Sequence, residues 1–395
     1  MKKGMQWFVL FLSGCVFIAA CSPTPTPTND LGSASFGLAT ALPGAGFVAW
    51  GDYDQDGDED LVTGCTADQP ARIFENDPIG TFTLVQKLPC GRSILGGTQP
   101  WADYDGDGDL DLALPGRDEA YMYENQDGTF VADARSILPP QNSGGAWYQW
   151  GDLDGTDGPD LVLVGTDFAS VFLNDGTGQL LPAQSLPTRD NHSGDLGDFD
   201  NDGDPDLVLV GARPGGGTDE TRFHLEIYRN EDGVLRLYVE LAHRGGDVRW
   251  VDYDSDGLLD IFVVGQVSAT ITYIEIWRQD PVGTFTPDSQ QPAMSALAAQ
   301  GGFGVNEGGA AWGDYNLDGT PDLILSVTTE EGCLTSVYRM DDSGQLVEDV
   351  ETGPNGLDAC FSYPGWADFD GDGDLDLAVS SPEDDAIRLY LNELE

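Results

Sequence analysis

A nine-residue pattern, Asp-x-Asp-x-Asp-Gly-x-x-Asp, returns through the chain at nearly fixed intervals, and no other feature restricts the fold as much. Trp50-Gly51-Asp52-Tyr53-Asp54-Gln55-Asp56-Gly57 recurs as Trp101-Ala102-Asp103-Tyr104-Asp105-Gly106-Asp107-Gly108, and again near Trp150, Leu196, Trp250, Trp312 and Trp366. The anchors are 51, 49, 46, 54, 62 and 54 residues apart. A repeat of this length is one supersecondary unit that can bury its apolar face only against its neighbours.

Each loop is followed by an apolar run of strand type, such as Asp160-Leu161-Val162-Leu163-Val164 or Asp260-Ile261-Phe262-Val263-Val264. An alternating, aromatic run comes next, as in Ala71 to Asn76, and then a glycine turn with a further strand, as in Gly80-Thr81-Phe82 and Gly283-Thr284-Phe285. With the tryptophan strand, each unit has four. The 52 glycines and 23 prolines exclude a helical architecture. The expected fold is therefore all-β, a seven-bladed β-propeller of four-stranded blades. The seventh repeat ends without its Gly-Thr-Phe strand. Phe36 to Pro43 matches Phe82 to Pro89 in its Phe and its Leu-Pro, so the N-terminal strand should complete the last blade and leave no sheet edge open.

The loop chemistry is that of a hard cation. Calcium takes six to eight oxygens, supplied from alternate positions of a tightly curled loop, and a glycine lets the backbone reverse. Numbering each loop from one to nine, the side-chain ligands at one, three, five and nine are Asp52, Asp54, Asp56 and Asp60 in the first copy and Asp103, Asp105, Asp107 and Asp111 in the second. They are Asp198, Asp200, Asp202 and Asp206 in the fourth, Asp252, Asp254, Asp256 and Asp260 in the fifth, and Asp368, Asp370, Asp372 and Asp376 in the seventh. The sixth offers Asp314, Asn316, Asp318 and Asp322, and weaker binding is expected there. The third keeps Asp152, Asp154 and Asp160 but has Thr156 and Asp157 where the pattern wants Asp and Gly, which leaves its occupancy open. Backbone carbonyls at position seven complete the set: Asp58, Asp109, Asp204, Leu258, Thr320 and Asp374. About seven Ca2+ sites are expected. An EF-hand is excluded, since the first loop has Thr63 where glutamate is required and strands on both sides.

On these motifs the chain resembles the FG-GAP/VCBS repeat proteins, the family that includes the propeller of integrin α-subunits, over about Phe36 to Leu394. The resemblance implies calcium loops on the lower face and a protein or glycan ligand on the upper one. There the longest connections, Arg213 to Arg222 and Pro292 to Ala310, break the symmetry. Adhesion, lectin-like glycan binding and polysaccharide cleavage all occur on such propellers, and fold alone does not choose among them.

The formal charge of −52, from 69 acidic and 17 basic residues, excludes nucleic acid and anionic membrane surfaces as partners. Lys2 and Lys3 followed by an apolar stretch from Met5 to Ile18 read as an export signal. Ile18-Ala19-Ala20-Cys21 resembles a bacterial lipobox, and so does Leu12-Ser13-Gly14-Cys15. Cleavage at Cys21 is preferred because it exposes the stiff, soluble Ser22 to Pro27 tether. The organisation expected is 1–20 signal peptide, 21–35 lipidated Cys and Pro/Thr-rich tether, and 36–395 propeller. Its destination is the outer membrane, with membrane contact only through the lipid. Cys65 with Cys90, and Cys333 with Cys360, fall within single repeats and read as disulfides, four free thiols being the alternative.

No catalytic constellation stands out. His192, His224 and His243 match no zinc signature, and His224 alternates with Leu225 and Ile227 as a structural residue would. A binding module that is not an enzyme is the first reading, and a lyase-like polysaccharide enzyme the second.

Overall fold

The structure, a computed structural model, describes residues 35–64, 69–89, 99–115, 120–133, 146–156, 158–165, 168–187, 190–212, 223–242, 246–268, 271–288, 309–329, 332–341, 343–349, 362–381 and 385–394. These form seven antiparallel sheets of four strands and no helix. Blades 1 to 6 span 48–88, 101–132, 146–185, 190–242, 247–287 and 310–348. Blade 7 takes three strands from 362–393 and its outermost from Ser35–Pro43, which pairs with Ala386–Glu393 in a register running from Ser35 opposite Glu393 to Pro43 opposite Ala386. The expected closure by the N-terminal strand is present.

Within each blade the second strand is apolar on both faces because neighbouring blades cover both. Asp160–Gly165 is buried at every residue, whereas the outer strand of blade 1, Phe82–Leu88, is largely exposed. A continuous apolar run and an alternating one thus mark the interior and the rim of the disc.

Loop position two joins one blade to the next. Its ring stacks on the tryptophan of the following blade in Tyr53–Trp101, Tyr104–Trp150, Phe199–Trp250, Tyr315–Trp366 and Phe369–Trp50, with interplanar angles of 6°, 9°, 15°, 11° and 14°. The last pair links blade 7 to blade 1 and closes the ring. Between blades 3 and 4 both partners are leucines, Leu153 and Leu196, in one apolar cluster. These tryptophans are packing residues between blades.

The residue before each loop controls that stack. A Cβ on Gly51, Gly197 or Gly313 would come within 2.8–3.0 Å of Cδ1 of the next tryptophan. Glycine at these places therefore makes room for an indole.

Candidate metal centres on the seven loops

All seven loops lie at the same end of the disc, between the first and second strands of their blades. Each turns on two residues with positive φ. Position four adopts it even without glycine, as in Gln55 (63°), Asn201 (58°), Ser255 (57°) and Leu317 (57°). Position six is glycine in six loops, with φ from 88° at Gly257 to 104° at Gly108. In the third loop, where the sequence has Asp157 at position six, the following Gly158 has a positive φ of 109°.

This curl brings positions one, three and nine together. Carboxylate oxygens of Asp52, Asp54 and Asp60 lie within 4.8 Å of one another, as do those of Asp103/Asp105/Asp111, Asp152/Asp154/Asp160, Asp198/Asp200/Asp206 and Asp252/Asp254/Asp260. The doubtful third copy is among them. Position five stands outside these trios. One oxygen of Asp56, Asp107, Asp202, Asp256, Asp318 and Asp372 accepts the amide of position seven, at 2.9–3.2 Å, and so stiffens the turn.

Position nine has a second task. Asp60, Asp111, Asp160, Asp206, Asp260, Asp322 and Asp376 are at most 1% exposed. One oxygen of each accepts an amide at the end of the third strand, from Asn76, Asn125, Asn174, Asn230, Gln279, Met340 and Asn392, at 2.7–3.1 Å. In blades 1 to 4 and 7 the other accepts the amide of position two. Burial raises these carboxyls, to about 7 for Asp60, Asp111, Asp206 and Asp376, about 6 for Asp160 and about 8 for Asp260 and Asp322. Their backbone bonds pull the other way and are outweighed.

Those third-strand ends carry functional residues that sequence reasoning missed. The amide of Asn76 donates to the carbonyl of Phe369 at 2.8 Å, Asn125 to Tyr53 at 2.9 Å, Asn174 to Tyr104 at 2.6 Å, Asn230 to Leu153 at 2.8 Å, Gln279 to Phe199 at 3.1 Å and Asn392 to Tyr315 at 2.8 Å. Each acceptor is position two of the preceding blade. Every loop but the fifth is thus pinned by the next blade. A signal existed, an amide side chain closing the third strand before a Gly-containing turn, but its partner lies a whole blade away.

A cation fits this donor set. Sealed from solvent and without a hydrogen-bond partner in the protein are Oδ1 of Asp52, Asp58, Asp109, Asp200, Asp254, Asp368 and Asp374, and Oδ2 of Asp260. Of these, Asp52, Asp200, Asp254 and Asp260 belong to the converging trios, and buried anionic oxygens so gathered require a counter-charge. All-oxygen donors suit calcium or magnesium, and three or more carboxylates on one loop suit calcium better, since magnesium keeps several waters and takes only one or two carboxylates.

His224 is fully buried in blade 4. The side chains of His192 and Cys333, together with His243, Asp157, Cys21, Cys65, Cys90, Cys360, residues 213–222 and 289–308, lie outside the described residues, as do the leader and tether. The lipidation and disulfide assignments fall there.

Fold and site define a class, a β-propeller of repeats that each carry an acidic turn. The FG-GAP-like repeat profile matches residues 52–114, 103–163, 156–209 and 252–325, more than half of the chain, and the chain belongs to that family. No functionally curated protein matches it. Among solved structures it is similar to BBS1N, in a crystal structure of its complex with ARL6DN, with a TM-score of 0.55 and 12% identity over 91% of this chain and 97% of that one. It is also similar to an Agrocybe aegerita lectin that recognises non-reducing terminal N-acetylglucosamine, with a TM-score of 0.52 and 16% identity over 78% of this chain and 79% of that one.

Proposed function

We propose that the protein is a calcium-stabilised binding module, exported and lipid-anchored at Cys21, that presents propeller loops to a protein or glycan partner and catalyses no reaction. The observation that carries the metal is the set of sealed, unpartnered carboxylate oxygens converging in the loops. Asp, Asn and carbonyl oxygens of positions one, three, five, seven and nine would hold the ion. Its chemistry is neutralisation, which lets like charges share a tight turn. A binding role is supported by similarity to one propeller solved with a protein and another that recognises a sugar. It is supported also by the gathering of more than a third of the acidic residues in the loops at one end of the disc, which leaves the opposite face for a ligand.

The test is calorimetric titration of the chelator-treated chain with calcium, with melting followed in parallel. Six or seven sites are expected, each contributing about 2.7 kcal/mol at a free calcium concentration of about 100 times Kd. An unchanged Tm in chelator would refute the metal assignment. A glycan array and a cross-linking capture on the anchored protein address the partner. Incorporation of palmitate, lost in Cys21→Ser and kept in Cys15→Ser, addresses the anchor.

A further inference from the structure

The seven loops share one backbone but not one electrostatic setting. The difference comes from the residue just before the third-strand amide. That residue is Glu75 in blade 1, Glu124 in blade 2, Leu173 in blade 3, Arg229, Arg278 and Arg339 in blades 4, 5 and 6, and Leu391 in blade 7. Strand alternation turns the amide to the neighbouring blade and this residue to its own blade's loop.

In blades 4 and 5 the arginine enters the loop. Arg229 is ion-paired with Oδ2 of Asp200 and its Nη2 lies 3.4 Å from Oδ2 of Asp202. Arg278 places Nε 2.8 Å from Oδ2 of Asp254 and Nη2 3.6 Å from Oδ2 of Asp256. The same two loop positions, three and five, are bridged in both cases. The inner oxygens, Oδ1 of Asp200 and of Asp254, remain sealed and unpartnered, and in blade 5 so does Oδ2 of the fully buried Asp260, whose carboxylate lies within 4.8 Å of those of Asp252 and Asp254. The guanidinium therefore sits on the outside of a metal-binding arrangement and does not fill it.

In blade 1 the corresponding group has the opposite sign. The charges acting on Glu75 are those of Asp54, Asp77 and Asp56. An acid here adds to a cluster that already repels itself, and makes that loop more dependent on a cation than any loop with an arginine.

Resting on the calcium reading above, we infer that Arg229 and Arg278 are resident counter-ions that grade the ring. The loops of blades 1 and 2 bind calcium tightly and open without it, while those of blades 4 and 5 bind it more weakly and stay closed without it. Calcium then loads and leaves the ring in an order fixed by one side chain per blade. Loss of calcium loosens the ring at blades 1 and 2, and leaves the arginine blades in place.

The decisive experiment combines two readouts on the full chain. In calcium titration the wild type should show at least two classes of site differing by about tenfold or more in affinity. Arg229→Glu/Arg278→Glu should move two sites into the tight class, the neutral Arg229→Gln/Arg278→Gln should fall between, and Glu75→Arg should move one site out of it. A single affinity class, or affinities unmoved by these exchanges, would overturn the proposal. Hydrogen exchange in chelator reads the arginines without any metal. Peptides covering 52–60 and 103–111 should exchange at least tenfold faster than those covering 198–206 and 252–260. Equal exchange would refute the counter-ion role even if calcium binds, whereas this contrast with no calcium bound would sustain the counter-ions and overturn the metal reading. Should the double glutamate variant fail to fold without calcium, Glu75→Arg still decides, because it removes repulsion and should slow exchange of its own loop.

Discussion

The contact between blades 6 and 7 and the one between blades 5 and 6 are built from the same repeat and packed differently. At the first, Tyr315 stacks on Trp366 with centroids 5.9 Å apart, and Asn392 donates to the Tyr315 carbonyl at 2.8 Å. At the second, Trp312 turns edge-on to Phe262 at 84°, and Met340 stands where the amide would be, inside an apolar cluster with Tyr253, Phe262 and Leu346. One upstream residue accounts for the change. Gly313 leaves the space that Trp366 fills, whereas Val251 stands at the matching position before the fifth loop, in the apolar cluster against which Trp312 packs. A single methyl is tolerated, since Ala102 and Ala367 precede loops whose position-two rings still stack. A branched side chain is not. The lesson is that the polar bracket and the ring stack belong together, and that the chain replaces both with apolar packing where one is blocked.

The largest effect should come from importing the blocked arrangement. Gly313→Val puts a Cβ 2.8 Å from Cδ1 of Trp366 and 3.0 Å from Cδ1 of Leu375, and should cost about 3 kcal/mol. Denaturant unfolding checks it, and a loss below about 1 kcal/mol would show that the indole can turn freely at any junction. Removing the bracket alone, Asn392→Ala, strips the carbonyls of Tyr315 and Leu375 of a donor and should cost about 2 kcal/mol. Met340 offers no such amide, and its truncation to Ala should act through a cavity, with little change at the neighbouring loop.

A pH series in chelator gives a smaller signal. Position-nine carboxyls are raised by burial to between about 6 at Asp160 and about 8 at Asp260, so between pH 4 and pH 8 the metal-free folded state binds more protons than the unfolded one. Their contribution is complete below the unfolded value near pH 4 and is lost as pH rises through 7. The metal-free Tm should be lower at pH 8 than at pH 5.5, and calcium should reverse that order because the ligands bind it ionised. A metal-free Tm that climbs with pH would contradict the burial argument. The smallest effect is expected of Val251→Gly paired with Met340→Asn. Each alone loses apolar packing, but together they should recover about 1 kcal/mol of the summed loss through the restored stack and bracket. Strict additivity would mean that the two features are independent.

The sevenfold repeat, the strand order, the closing strand and the acidic positions were all legible in the sequence because each is a local pattern repeated many times. The third loop was harder. Thr156 and Asp157 break the sequence pattern, yet Gly158 has a positive φ and the three carboxylates still meet. Asn76 and its counterparts were visible as recurring residues without a role, since their acceptors are 70–80 positions earlier or, for Asn76, 293 later. Arg229 and Arg278 were equally visible and equally mute. Their aspartates lie a strand pair away in the chain.

By itself, then, the sequence determined what backbone periodicity can determine: four strands per unit, a tight acidic turn after the first, and a ring of seven. Hydrogen bonding and burial along a short stretch of chain suffice for that. Tertiary structure decided which carboxylate is a frame and which is left sealed and unpartnered in the loop. It decided also which blade leans on which, and where an arginine pairs with the aspartates of its own loop. Those depend on distances between segments that only packing brings together.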